Sequence, residues 1–222
     1  LVDGVHFDLA SLGWRALGHM ALAVNLSDIA AMAGEPLAAV ISTAFPAKVT
    51  REEAELFADG VASCAVRWDA EIVGGDTVRS PVAAVTIALL GTVEPERVCL
   101  RSAARPGDKL FVTGTLGRRE GARRMGEHLP VTPRLKEARA LSASGVRCMI
   151  DLSDGLAADL RHVLEASGVG AIVDAAAVPV DEMTVKAAKA EGIDALSLAL
   201  TGGDDYELLF TAPDAVAGAI SK

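Results

Sequence analysis

The stretch "MIDLSDGLAADL", residues 149–160, sets Asp151, Asp154 and Asp159 among apolar neighbours. The run "RCMID" predicts a strand ending near Asp151, and "GLAADLRHVLEAS" predicts a helix capped by Ser153 or Asp154. A plain helix cap accounts for one of these acids. It leaves unexplained a second carboxylate three positions earlier, at the strand end. Side chains at strand ends commonly face ligands in α/β folds, and amides at a helix N-terminus can hold phosphate. Neighbouring carboxylates repel one another. Hard cations such as Mg²⁺ relieve that repulsion, because they take oxygen ligands and bridge phosphates.

Working outward, a second Leu-Ser-Asp lies in "VNLSDIAAMAG" (24–34), and each is followed by a Gly-Gly-Asp, at 74–76 and 202–204. The paired spacing, Asp28 to Asp76 and Asp154 to Asp204, invites an internal duplication, although the flanking residues match poorly. A Gly-Gly-Asp is commonly just a turn. Its sharper reading is a backbone that must approach a ligand closely, since glycine removes the side-chain obstacle. Asp28 sits in an apolar helical run with no Lys or Arg within one turn; it reads either as a paired or partly exposed polar residue of that helix or as a functional acid. An unpaired buried charge costs several kcal/mol, roughly, so a tertiary partner or a metal is expected to compensate it. His6, in "GVHF", reads by pattern as structural. Arg101 reads as a surface charge or a phosphate contact, and His19, His128 and His162 have no ligand-like spacing.

The 222 residues are 51% hydrophobic and carry a net charge of −9, which argues against disorder and against a nucleic-acid partner. Only 4% are aromatic, so the core must be built mainly from Ala, Val, Leu and Ile. No apolar run reaches the roughly 20 residues of a membrane helix, so no membrane partner is expected. Cys64, Cys99 and Cys148 form no CxxC pair, and a reducing cytoplasm fits them best. The chain opens without Met inside a strand-like "LVDGVHF" and breaks off within a helical run, so a piece of a longer protein is expected.

Periodicity predicts strands at 1–7, 37–45, 70–76 (ending in a glycine turn) and 81–93, the last of them buried, with helices at 13–33 and 50–68. Thr50 and Glu53 have capping-box spacing. Pro106-Gly107-Asp108 marks a boundary. The expected domains are 1–103 and 104–222. In the second half "KLFVTG", 147–151, "GAIVDAAAVPV" and "DYELLFTA" read as strands, 133–145, 154–167 and 181–191 as helices, and "RREGARR" as a solvated loop or helix. No GxxxxGK[ST] loop and no GxGxxG after a strand is present. A bound nucleotide would therefore rely on carboxylate-held Mg²⁺ for its phosphates.

Six blocks, "LVDGVHFD", "ALAVNLSDIAAMAG", "IVGGDT", "LRSAARPGDKLFVTG", "MIDLSDGLAADL" and "LTGGDDYELLFT", stand in the order seen in the thiamine-monophosphate kinase family. That family is a branch of the aminoimidazole ribonucleotide synthetase-like superfamily, and the resemblance spans nearly the whole chain. It implies an α+β, two-domain fold: a ferredoxin-like N-terminal layer that pairs through its sheet in a homodimer, and a C-terminal α/β domain. It implies a cytoplasmic enzyme of thiamine biosynthesis that transfers phosphoryl from ATP to thiamine monophosphate. It further implies magnesium ligands at Asp28, Asp76, Asp151 and Asp154, ATP contacts at Gly75, Asp76, Arg101 and Ser153, and substrate contacts at His6 and Asp204. Asp204 stands where the family usually has Glu. The family's N-terminal acidic segments and its C-terminal aromatic closure fall outside these residues, so 1–222 alone is expected to be inactive. No catalytic nucleophile is assigned. The alternatives are a selenophosphate synthetase-like cousin, whose reactive Cys is not seen here, and a non-catalytic nucleotide-binding homologue.

Overall fold

A computed structural model describes residues 1–220 and divides into two compact units. The first comprises Leu1–Ile29, Glu35–Thr92 and Pro130–Thr132. The second comprises Ala30–Gly34, Val93–Leu129 and the residues from Pro133 onward.

The chain begins with α1 (Leu9–Leu12), α2 (Trp14–Ala31), β1 (Glu35–Phe45), α3 (Arg51–Trp68), β2 (Glu71–Arg79) and β3 (Ala84–Thr92). The sheet has the order β2-β1-β3, with β1 parallel to β2 and antiparallel to β3. The predicted capping box starts α3: Thr50 Oγ1 accepts from the Glu53 amide, and Glu53 accepts from the Thr50 amide. Low aromatic content leaves one small aromatic cluster, with Phe45 edge-on to both Trp14 (5.1 Å) and Phe57 (5.4 Å).

Helices α2 and α3 cross at two glycines. A Cβ on Gly18 would lie 2.1 Å from the Phe57 carbonyl oxygen, and one on Gly60 would lie 2.0 Å from that of Arg15. Neither obstacle is a side chain that could swing away. Gly60→Ala is therefore expected to destabilise the protein by about 1–3 kcal/mol, the usual cost of overpacking. A thermal melt checks this, and an unchanged midpoint would contradict so close a crossing.

Three expectations for this unit are corrected. Residues 1–7 form no strand: Gly4 adopts φ +75° and turns the chain, leaving only isolated bridges at Val2 and Asp3. Gly74-Gly75-Asp76 is not a turn but the middle of β2. The register shifts so that Ala39 and Val40 face Ile72 and Gly74, which leaves Val73 as a bulge, and Gly75 lies directly against the Ile41 backbone. The strand at 84–92 is not buried: Val85 is covered, but Leu90 is 66% exposed.

The second unit contains β4 (Lys109–Val112), α4 (Arg118–Arg124), α5 (Leu135–Ala143), β5 (Cys148–Asp151), α6 (Leu156–Ser167), a 3₁₀ turn at Ala175–Ala177, α7 (Glu182–Glu191), α8 (Ala195–Thr201), β6 (Leu208–Ala212) and α9 (Asp214–Ile220). Its sheet has the order β4-β6-β5 and is antiparallel throughout. The core gathers Leu116, Cys148, Leu152, Leu156, Leu160, Val163, Ala199 and Leu209, with Phe111 stacked on Phe210 at 5.3 Å. A fully buried leucine contributes about 1.5–3 kcal/mol.

"GAIVDAAAVPV" forms no strand. Its one bridge among the described residues joins Val180 to Leu116, and Ile172 stands almost wholly in solvent beside an open apolar groove of about 1150 Å³. "RREGARR" takes the helical of its two expected forms, as α4, but it is not wholly solvated. Gly121 and Ala122 are buried, and a Cβ on Gly121 would lie 2.6 Å from the Thr184 amide nitrogen of α7. Helix α8 was not anticipated.

Candidate functional site

The question raised by acids in apolar surroundings has a geometric answer. Apolar residues of α2 such as Leu22, Leu26 and Ala30 turn to the core, while Asp28 stands on the exposed side. Asp76 and Asp154 are exposed as well. The expected penalty for a buried charge at Asp28 therefore does not arise. Asp151 and Asp159, by contrast, are buried, at 6% and 3% exposure.

In the first unit, Asp76 Oδ1 accepts from the Thr77 amide at 2.8 Å, and its backbone pairs with Ser42 of β1. His6 is exposed, and its Nδ1 accepts from the Val2 amide at 3.0 Å. Gly75, expected to admit a nucleotide, is explained first by its contact with the Ile41 backbone.

In the second unit the structure brings several predicted residues together. Strand β5 ends at Asp151, as the sequence indicates. Helix α6 is not capped by Ser153 or Asp154. Its N-cap is Gly155 at φ +98°, with no side-chain cap. Instead the buried Asp159 carboxylate reaches back from the first turn and accepts from the Asp154 amide at 3.0 Å. Burial pushes the Asp159 carboxyl up to about 6. The Asp154 amide bond opposes this, while repulsion from Asp154 and Asp151 adds to it. Asp154, Asp159 and His162 each bring a ligand atom within 4.8 Å of the others. The carboxylate oxygens suit a hard cation such as Mg²⁺. An imidazole nitrogen suits softer metals, so His162 is the odd member. Its signal in the sequence, one helical turn after Asp159, is legible only once Asp159 is known to face the loop.

Against this loop lies the second Gly-Gly-Asp. The Asp204 amide donates to the Ser153 carbonyl at 2.8 Å, and the Tyr206 amide to the Leu152 carbonyl at 2.8 Å. A Cβ on Gly203 would come within 2.6 Å of the Ser153 oxygen, so this glycine too is required by protein backbone. Asp204 and Tyr206 both adopt left-handed φ, +67° and +51°, which is uncommon for non-glycine residues and marks a tightly determined turn. The two Gly-Gly-Asp segments thus have different conformations, one in a strand and one in an irregular turn, and the two sheets differ in topology. They are not built as a repeat. Arg101 is exposed in a turn whose carbonyl accepts from Ser167 Oγ at 2.9 Å.

Asp205, given no role beside Asp204 in the sequence, is held firmly: both its oxygens accept from the Gly117 amide at 2.9 Å. Burial pushes its carboxyl up to about 7. The Gly117 bond opposes the rise, Glu207 adds to it, Arg119 opposes it, and Asp181 adds to it. The folded value exceeds the unfolded one, near 3.9. This group's contribution to stability is therefore complete below about pH 4 and is lost as pH rises through about 7. Relative to Asp205→Asn, the wild type is expected to lose melting temperature between pH 5 and pH 8. A difference between the two melts that does not change with pH would contradict this.

Residues 1–93 match the family model described as AIR synthase related protein, N-terminal domain, and residues 105–217 match its C-terminal domain counterpart. The thiamine-monophosphate kinase of Salmonella typhimurium is 36% identical over 99% of this chain and 71% of its own length. That of Mycobacterium tuberculosis is 36% identical over 94% of the chain and 67% of its own length. The crystal structure of thiamine monophosphate kinase from Aquifex aeolicus superimposes with a TM-score of 0.89 at 32% identity, covering 97% of this chain and 77% of that one. A structure of AaThiL complexed with AMPPCP and TMP gives a TM-score of 0.90, also at 32% identity, over 97% of this chain and 74% of that one. Hydrogenase maturation protein HypE, at 20% identity and a TM-score of 0.80, shares the fold. The chain belongs to the AIR synthase related family, on its thiamine-monophosphate kinase branch.

Proposed function

We propose that the protein transfers the γ-phosphoryl group of ATP to thiamine monophosphate, in a direct in-line displacement that yields thiamine diphosphate and ADP. The observation that carries this reading is the kinase likeness over nearly the whole chain, together with the acidic loop 151–159 packed against the 203–206 turn. Asp28, Asp76, Asp151 and Asp154 would hold magnesium. Gly75, Asp76, Arg101 and Ser153 would contact ATP, and His6 and Asp204 the acceptor. The halves that carry these roles are taken as 1–103 and 104–222.

The reaction brings two anions together. One pair of unit charges at 4 Å costs about 4 kcal/mol at an effective dielectric near 20. A chain of net charge −9 cannot offset that alone. Bound magnesium supplies charge neutralisation across the phosphates. The chain's own residues then bind, orient and exclude water. The acceptor oxygen belongs to a phosphate monoester whose second pKa is about 6, so it is already deprotonated at neutral pH and no general base is required.

A coupled ADP-release assay on the full-length protein tests the reading. ADP release is expected to depend on thiamine monophosphate. Release that ignores the acceptor, or a ³²P-labelled phosphoenzyme, would contradict it.

The reading extends to a homodimer formed through the first unit's sheet. Leu37, Val40, Val73, Val78 and Leu90 expose apolar surface on its strands, more than an isolated sheet normally shows. Sedimentation at the mass of one chain would contradict the dimer. No helix among the described residues is long and apolar enough to cross a membrane, which agrees with action on small, charged substrates in the cytoplasm.

A further inference from the structure

Arg119 lies in the segment that the sequence presents as merely basic, yet its guanidinium is largely withdrawn from water. It sits 5.6 Å from the centre of the Tyr206 ring, and its Nη1 donates to the Leu129 carbonyl at 2.8 Å. Its Nε is buried with no hydrogen-bond partner, so hydrogen bonding alone does not explain the placement. Burial lowers its pKa, while the fields of Asp204, Tyr206 and Asp205 act in the opposite sense. Tyr206 in turn donates its hydroxyl to Asp204 Oδ1 at 3.0 Å. The backbone of this pair is strained into left-handed φ and is held to Leu152 and Ser153 by two amide bonds. Arg119, Tyr206 and Asp204 therefore form one stack, with a cation on a ring face and the ring's hydroxyl on a carboxylate. Cation–ring attraction is strongest where water is excluded, as it is here.

We propose that Arg119 is a positioning residue for the acceptor. By lying on Tyr206 it holds the phenol hydroxyl on Asp204, and so fixes the carboxylate that meets thiamine monophosphate. This rests on the kinase reading and deepens it. The short Asp side chain at 204 reaches less far than a Glu would, so its orientation leaves less room for error. The stack sets that orientation from behind, without Arg119 touching the substrate. Arg119 acts on the acceptor side in this reading, because its contacts are with Tyr206 and Leu129, and Tyr206 carries the hydroxyl that Asp204 accepts.

The test has two arms. In steady-state kinetics of the full-length protein, Arg119→Met, Tyr206→Phe and Asp204→Asn are each expected to raise KM for thiamine monophosphate about tenfold, with KM for ATP within about twofold. The Arg119→Met/Asp204→Asn double variant is expected to add no more than about twofold to Asp204→Asn alone, because the two residues act as one unit. Multiplying effects, or an equal rise in KM for ATP, would overturn the proposal.

The second arm does not depend on activity. Tyr206 is the one tyrosine among the 222 residues, so 3-fluorotyrosine incorporation gives a single ¹⁹F resonance. Wild type and Arg123→Met, a surface change on the same helix, are expected to give one narrow line. Arg119→Met and Asp204→Asn are each expected to broaden or split it as the stack loosens. A narrow, unsplit line in Arg119→Met would overturn the proposal. If the wild type shows no acceptor-dependent ADP release, the kinase reading fails, and the ¹⁹F lines still decide whether Arg119 holds the Tyr206–Asp204 pair.

Discussion

Asp154→Asn is expected to lower kcat/KM of the full-length enzyme by about 10²–10³-fold, while the fold stays intact. Removing one group aimed at charge in the transition state typically has this effect. Asp154 is exposed, stands on the loop between β5 and α6, and shares its surroundings with Asp151 and Asp159, so a neutral amide relieves repulsion rather than leaving a gap. Its amide bond to Asp159 comes from the backbone and survives the substitution. Kinetics together with a thermal melt check both halves. Activity within about threefold of wild type would remove Asp154 from the phosphate-binding machinery. A collapse in stability would mean that the acid serves the fold.

Arg134→Met is expected to have the largest effect on stability, a loss of about 3–5 kcal/mol, because it strands a buried carboxylate. Glu207 is only 7% exposed and lies just before β6. Arg134 meets it with two guanidinium nitrogens, Nε at 2.8 Å and Nη2 on the other oxygen. Thr113 Oγ1 donates to the same carboxylate at 2.5 Å and accepts from the Leu208 amide, tying β4 to β6. Removing the cation leaves Glu207 charged, buried and near Asp205. Urea denaturation measures the loss. Arg51→Ala, which breaks an exposed pair with Glu55 on α3, is expected to change stability by less than about 1 kcal/mol. Similar losses for the two variants would contradict the distinction.

Much of this architecture was legible from local chemistry. The Thr50–Glu53 box, the long helix ending before Gly34 and the strand ending at Asp151 follow from capping, periodicity and short apolar runs, and all three form. Where the reading failed, backbone contacts decided. Gly75 and Gly203 are glycines because carbonyls of Ile41 and Ser153 lie against them, and no linear pattern shows which chain segment will arrive there. The same holds for the start of α6, where Gly155 takes the N-cap place expected of Ser153 or Asp154 and Asp159 accepts from the Asp154 amide. Apolar neighbours suggested that the strand at 81–93 was buried, and they left Asp28 open between a partly exposed place on its helix and a compensated buried one. Composition cannot say which face of an element meets the core and which remains exposed. Arg119 was hidden for a related reason: a basic run reads as solvated until the fold folds one of its members under a tyrosine.

We propose that Asp28, Asp76, Asp151 and Asp154 hold the divalent ions that carry the nucleotide's polyphosphate. A crystal structure of the full-length protein grown with AMPPCP and Mn²⁺, with the metals located by anomalous scattering, tests it most directly. The predicted result is carboxylate oxygens of Asp28, Asp76, Asp151 and Asp154 about 2.0–2.2 Å from metals that also touch phosphate. Metals held by phosphates and water alone, with none of these four carboxylates as ligands, would contradict it.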